Sequence, residues 1–363
     1  LSPHASTEAA TSIRTEGDGT TTWSVSRRTF LRGVLAAGAV TGLTVTGDAL
    51  SASGTPAPDP GGVPKPFLPT VWRTRIGDAP TLSPQSDTFV DLLGSFFFEH
   101  GAVLNADSYT PTRYIVHGGS FSWPTIEIYG YGGTQSGSIK APIPSYAICD
   151  PTLDGDHEMV VWDVDNDIVW EFFAAANTIG GRPTDGRWQF GTYATQSTST
   201  GTGVFTRGDR PEYVPSPDGG LPPAPNTVSA SGLSYLGGLV TVADIAAGSI
   251  DHALCLAVPM TNGAFVAPAT AADGDVSHGI PEGTRLFYPS WVSADYLTGV
   301  PRLIFEAIQT YGMYLVDTAG AIAIYLENGQ AWTASGLRDP WASLPVDPLR
   351  GFPGPLQVLA PPR

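Results

Sequence analysis

Two apolar runs, Glu158-Met-Val-Val-Trp-Asp163 and Ile168-Val-Trp-Glu-Phe-Phe173, flank the turn Val164-Asp-Asn-Asp167. Each run is too short for a stable helix and rich in Val, Ile, Trp and Phe, and the turn residues tolerate unusual dihedrals, so the stretch spells a β-hairpin. Forty-three glycines and 33 prolines leave few stretches in which a long helix could persist. Runs of strand character recur at 114–117, 125–129, 146–149, 188–193, 252–258 and 284–288. The pattern predicts an all-β chain, a β-sandwich or jelly-roll-like fold with one packed helix. That helix covers 301–311: it opens on Pro301, has apolar residues at 303, 304, 307, 308 and 311, and stops at Gly312. Residues 87–93 fit a shorter helix. Residues 313–317 and 321–327, joined by Thr-Ala-Gly, read as a second hairpin. Residues 194–238, rich in Ser, Thr, Gly and Pro, read as a long surface loop.

The N-terminal region reads differently. Ser26-Arg27-Arg28-Thr29-Phe30-Leu31-Arg32 precedes the weakly apolar stretch 34–45 and then Ala49-Leu50-Ser51-Ala52-Ser53. This order of paired arginines, apolar stretch and small residues resembles a twin-arginine export signal. The apolar stretch falls short of the ~20 residues that cross a bilayer. The expected organisation is a signal peptide over 1–51, a Pro/Gly-rich linker over 52–66 and a single β-rich domain over 67–363, secreted and free of the membrane in its mature form. The net charge is −16, and because residues 1–51 hold four acidic and four basic side chains, the remainder keeps all of it. Such a charge repels phosphate backbones and argues against a nucleic-acid partner. Outside the cell a Cys149–Cys255 disulfide is permitted, while the apolar setting of Cys255 suits a buried thiol equally well.

A set of segments carries a resemblance. They are Asp156-His157-Glu158 through Asp163, Val169 through Phe173, Trp188, Ala247-Gly248-Ser249-Ile250-Asp251-His252-Ala253-Leu254, Pro281 through Leu286, and Ala307 through Asp317. In order and spacing they resemble a group of secreted bacterial proteins with a twin-arginine signal, over about half of the chain. The resemblance implies a β-sandwich of the kind that handles carbohydrate and brings no established activity.

Alternate strand residues face opposite sides, which sorts the candidate residues. His252 shares a face with Leu254, Leu256 and Val258, as a core histidine or a cleft residue. Asp317 shares one with Met313 and Leu315. Glu171 shares one with Val169 and Phe173, where desolvation would raise its pKa as a general acid needs; a solvated outer face is the alternative. Glu171, Asp317 and His252 are therefore the expected catalytic residues of a glycoside hydrolase acting on an extracellular polysaccharide, in which two carboxyl groups stand about 5 Å apart for retention and wider for inversion. Trp170, Trp188, His157, Asp163, Arg285 and Tyr311 are expected to bind the glycan, although each tryptophan fits a β-sandwich core as well. A polysaccharide lyase would instead draw on His252, Tyr311 and Arg285, and a non-catalytic glycan- or surface-binding module needs no acid at all. The turn Asp163-x-Asp165-x-Asp167 begins like an EF-hand loop, but Ile168 replaces the required glycine and Ala174 the closing glutamate. A casual Ca²⁺ site would draw on Asp154, Asp156 or this turn. No cofactor is expected: nucleotide, dinucleotide, zinc-helix and serine-elbow motifs are all missing.

Overall fold

The computed structural model describes residues 65–68, 70–106, 108–129, 137–153, 155–206, 228–328 and 356–362, with the short paired segments 14–15 and 21–22. The arginine pair, the small-residue cleavage stretch, most of the linker, Asp154, Trp332 and Trp341 lie outside the described residues. In chain order the elements are α1 (Ser86–His100), β1 (Ala102–Asn105), β2 (Thr112–Val116), β3 (Thr125–Ile128), β4 (Gly137–Lys140), β5 (Met159–Asp163), β6 (Ile168–Ala175) and β7 (Gln189–Ser197). They continue with α2 (Tyr235–Gly238), α3 (Val242–Ala247), β8 (Leu254–Val258), β9 (Thr261–Phe265), β10 (Ile280–Glu282) and β11 (Arg285–Phe287). Last come α4 (Gly299–Tyr311), β12 (Met313–Thr318), β13 (Ile322–Tyr325) and β14 (Gln357–Val358). Strands dominate, as the sequence predicts; of the four α-helices among the described residues, α4 is the expected packed helix, α1 covers and extends the shorter helix read over 87–93, and the short α2 and α3 are additions.

The hairpin of β5 and β6 forms in the register that alternation demands, with Met159 opposite Phe172 and Asp163 opposite Ile168. Asp163 closes its turn: Oδ1 accepts from the N–H groups of Asp165 (3.2 Å) and Asn166 (3.3 Å), and Oδ2 accepts from the Asn166 side-chain amide (2.7 Å). Around this pair a six-stranded sheet has the order β2-β5-β6-β7-β3-β4, and a second has the order β14-β11-β12-β8-β13-β1. Both are mixed. The pairs β2–β5, β3–β7, β8–β12 and β1–β13 are parallel, and parallel neighbours need crossovers rather than tight turns. That overturns the second hairpin: β12 and β13 both form, but β8 lies between them and pairs with each. Residues 146–149 form no strand: Tyr146 ends a turn and is half-buried, and Ala147, Ile148 and Cys149 are buried irregular chain.

Strand alternation divides the interior into three. Val160, Trp162, Val169 and Phe173 of the first sheet meet Ala253, Cys255, Ala257, Tyr314, Val316 and Tyr325 of the second in one shared core. Met159, Val161 and Phe172 point the other way, against Ala141, Ile143, Ala147 and Cys149. The far face of the second sheet, with Leu254, Leu256 and Leu315, packs on Phe89 and Leu93 of α1 and on Ile304 and Ile308 of α4. In α4 Val300, Ile304 and Ile308 recur every fourth residue on the buried side. The helix ends where Gly312, at φ 74°, donates its N–H to Ile308 O.

The expected surface loop over 194–238 is corrected at both ends. Its start belongs to β7, and 228–238 is buried throughout. Serines make that burial tolerable: Ser229 Oγ donates to Leu233 O (2.6 Å), Ser231 Oγ accepts from Leu233 N (3.1 Å), and Ser231 N donates to Val316 O (3.0 Å). Gly237 and Gly238 lie flat against Trp72, where a Cβ on Gly238 would also come 2.7 Å from Cys255 Sγ.

The two thiols sit in different cores, Cys149 behind the first sheet and Cys255 between the sheets, and both are free. Burial raises both thiol pKa values, that of Cys149 to about 12, so neither offers a thiolate at neutral pH. A thiol-reactive disulfide reagent is expected to label no cysteine in native protein and both in denaturant, with Tm indifferent to reductant. Labelling of only one in denaturant, or a Tm lowered by reductant, would contradict this.

Candidate functional site: a carboxylate cluster between the sheets

The face of β5 that carries Val160 and Trp162 continues onto the preceding residue, Glu158, which is 4% exposed. On the neighbouring strand Glu171 lies opposite Val160 and shares this face with Val169 and Phe173, as alternation predicts. It is fully buried. Oε1 accepts from Ser234 Oγ (2.5 Å) and Leu236 N (3.0 Å), and Oε2 from Tyr235 N (3.1 Å). Burial pushes its pKa up to about 7, against the downward pull of these three donors.

Asp317 reaches the same core by a register shift. Leu254 and Leu256 pair with Met313 and Leu315, but Ala257 pairs with Asp317, so Val316 is the extra residue of a bulge. A bulge reverses the parity of the residues beyond it. Asp317 therefore leaves the face of Met313 and Leu315, where parity placed it, and joins Ala257 toward Tyr235. Its Oδ2 accepts from Ala230 N (3.2 Å) and its Oδ1 from Thr318 N (2.9 Å).

Tyr235 ties the acids together. It is completely buried, and its hydroxyl lies 2.7 Å from Glu158 Oε1 and 3.0 Å from Asp317 Oδ2. Those two oxygens consequently stand under ~6 Å apart, near the separation of a retaining carboxyl pair. A hydroxyl owns one proton, so it donates to one carboxylate while the other carboxyl, protonated, donates to it. Burial, reinforced by Asp156, drives the Glu158 pKa well above the usual carboxylate range, which favours its protonated form.

A second acid pair adjoins the first. Glu282, the last residue of β10, is fully buried, and burial together with Asp317 and Asp273 pushes its pKa up to about 10. Its Oε1 accepts from Asp273 N (3.4 Å), and Oε2 has no hydrogen-bond partner. Asp273 Oδ1 accepts from Thr318 Oγ1 (3.0 Å), next to the Thr261 hydroxyl. Among the described residues no group of three or more His, Cys, Asp or Glu is arranged to hold a metal ion. No family model, curated protein or solved structure matches the chain.

The other sequence candidates lie elsewhere. His252 precedes β8, at the end opposite the Ala257–Asp317 pair, roughly 15 Å away along the strand direction. Its Nε2 faces Asp244 Oδ2 (3.4 Å) and its Nδ1 faces Ala253 O (2.9 Å), the arrangement of a core histidine beside the capping box of α3. Trp170 and Trp188 occupy the opposite face of the first sheet: Trp170 stacks on Phe172 and Tyr193, and Trp188 on Phe190. The Asp163 carboxylate is consumed by its turn and by Gly118 N (3.0 Å). His157 Nδ1 lies 2.9 Å from Asp150 O. Arg285 donates through Nε to Tyr311 O (2.9 Å), closing the end of α4, and the Tyr311 hydroxyl accepts from Arg75 (3.2 Å).

Of the three residues expected to be catalytic, Glu171 and Asp317 are thus gathered, through the two ends of Tyr235, and His252 is not. Glu158, Tyr235, Glu282 and Asp273 are the additions. Only Glu158 carried a signal, the strand alternation running back from Trp162.

Proposed function

We propose that the chain is a secreted carbohydrate-active enzyme, a glycoside hydrolase acting on an extracellular polysaccharide, built as a two-layer β-sandwich around the shared core. One observation carries the reading: Glu158 and Asp317 are two carboxyl groups under ~6 Å apart across one hydroxyl, in a setting whose burial favours the protonated form of Glu158. In this reading Glu158 protonates the leaving oxygen and Asp317 is the ionised partner, while Glu171 takes no direct part. Phe265, opposite Glu282 in the β9–β10 pair and 51% exposed, offers a ring beside the cluster. The acid-rich site and the −16 charge favour a neutral glycan over a polyanionic one.

Incubation with a panel of neutral polysaccharides is expected to release reducing ends. Glu158→Gln and Asp317→Asn should each abolish the release, while Glu306→Gln, on the exposed side of α4, should keep it. Retained pull-down of a glycan without any release would sink the hydrolase and favour the non-catalytic binding module. Unsaturated products would mean a lyase.

A further inference from the structure

We propose that Tyr235 relays a proton between Glu158 and Asp317, and that Glu171 is the positioning residue that holds Tyr235 in place. The geometry of Tyr235 is set from both ends. Its ring lies in the shared core and forms an edge-to-face pair with Tyr325 at 5.4 Å. At the backbone, Glu171 accepts from three consecutive residues, Ser234, Tyr235 and Leu236. Helix α2 has only four residues and cannot hold itself in place. A buried carboxylate reaching it from β6 can. Glu171→Gln would lose one acceptor oxygen and place an amide against a donor.

The hydroxyl then stands in one line of proton transfer. Glu158 gives its proton to the Tyr235 oxygen as Tyr235 gives its own to Asp317. Glu158 ends as a carboxylate, Asp317 as an acid, and Tyr235 is neutral before and after. One O–H bond breaks and one forms at each oxygen step, so no outside proton is needed. The inference deepens the hydrolase reading, yet its test needs no substrate.

The test is a carboxyl-carbon NMR titration of the full chain carrying labelled Glu and Asp side chains. In wild type the Glu158 and Asp317 resonances are expected to move together in each step, because groups this strongly linked titrate as a pair. In Tyr235→Phe the direct repulsion between the two carboxyl groups remains but the link through the hydroxyl is lost, so the separation between the two steps should change by more than about one pH unit. Glu171→Gln should loosen the coupling in the same direction. Ser234→Ala, which removes one of the three donors and is the milder change, covers the case in which the other variants fail to fold. Independent titration of the two acids in wild type, or coupling unaltered in both Tyr235→Phe and Ser234→Ala, would overturn the relay. If coupling is found and no polysaccharide is cleaved, the hydrolase reading falls and the relay stands. Cleavage with uncoupled titration does the reverse.

Discussion

Thermal unfolding is expected to shift to markedly lower temperature as the pH is raised from 5 to 9. Three buried glutamates dictate the direction. Desolvation raises the pKa of Glu171 to about 7, that of Glu282 to about 10, and that of Glu158 well above the usual range. Above the unfolded value of 4.5 the folded protein keeps protons that the unfolded chain releases. Stability is then full below about pH 4.5 and declines as pH rises. The loss runs to about pH 7 for Glu171 and to about pH 10 for Glu282. Each group costs about 1.4 kcal/mol per pH unit within its window, so Glu171 alone accounts for ~3 kcal/mol by neutral pH. Asp244 offers no compensation there. Burial pushes it upward, but His252 and Thr241 outweigh that and hold it at about 2, so its window closes near pH 4. Glu282→Gln removes one titrating acid with little change of volume and should flatten the decline. A Tm that is constant or rises across this range in wild type would refute the assignment, as would an unchanged slope in Glu282→Gln.

The same residues show what the sequence could and could not disclose. The hairpin of β5 and β6 is legible because its information is local: two alternating runs, a turn of Asp and Asn, and a register that results from them. That alternation also places Glu171 on its correct face. It misplaces Asp317, because a single extra residue at Val316 reverses parity and is visible only once β8 lies beside β12. His252 carries the same apolar-face signal as Asp317, and its role is decided by Asp244, a partner eight residues upstream on a short capped helix. Tyr235 lies in a Ser/Gly-rich stretch with no periodicity, and Glu282 closes a three-residue strand. Their meeting depends on pairings between segments far apart in the chain, which no local pattern encodes. The mixed sheets are hidden for the same reason, since a strand's composition does not state its neighbour's direction.

A clamp between the sheets carries the other large effect. Arg113, on β2 of the first sheet, donates through Nε (3.0 Å) and Nη2 (3.1 Å) to the two oxygens of Glu327, which comes after β13 of the second. Both side chains are nearly buried, at 6% and 5% exposure, and Glu327 Oε2 also accepts from Val242 N at the start of α3. Arg113→Met leaves the Glu327 charge buried without its guanidinium and is expected to cost about 3–5 kcal/mol. Arg113→Met combined with Glu327→Gln removes both charges while keeping an acceptor for Val242, and should recover most of that loss. A double variant no more stable than Arg113→Met would mean that hydrogen-bond geometry rather than charge holds the clamp. The acid pair bridges the same two sheets: Glu158 directly precedes β5 of the first, and Asp317 lies on β12 of the second. If the sheets slip when the clamp opens, Arg113→Met should weaken the Glu158–Asp317 coupling and the double variant should restore it. Coupling unaffected in a destabilised Arg113→Met would show that Tyr235 alone sets the distance between the two acids.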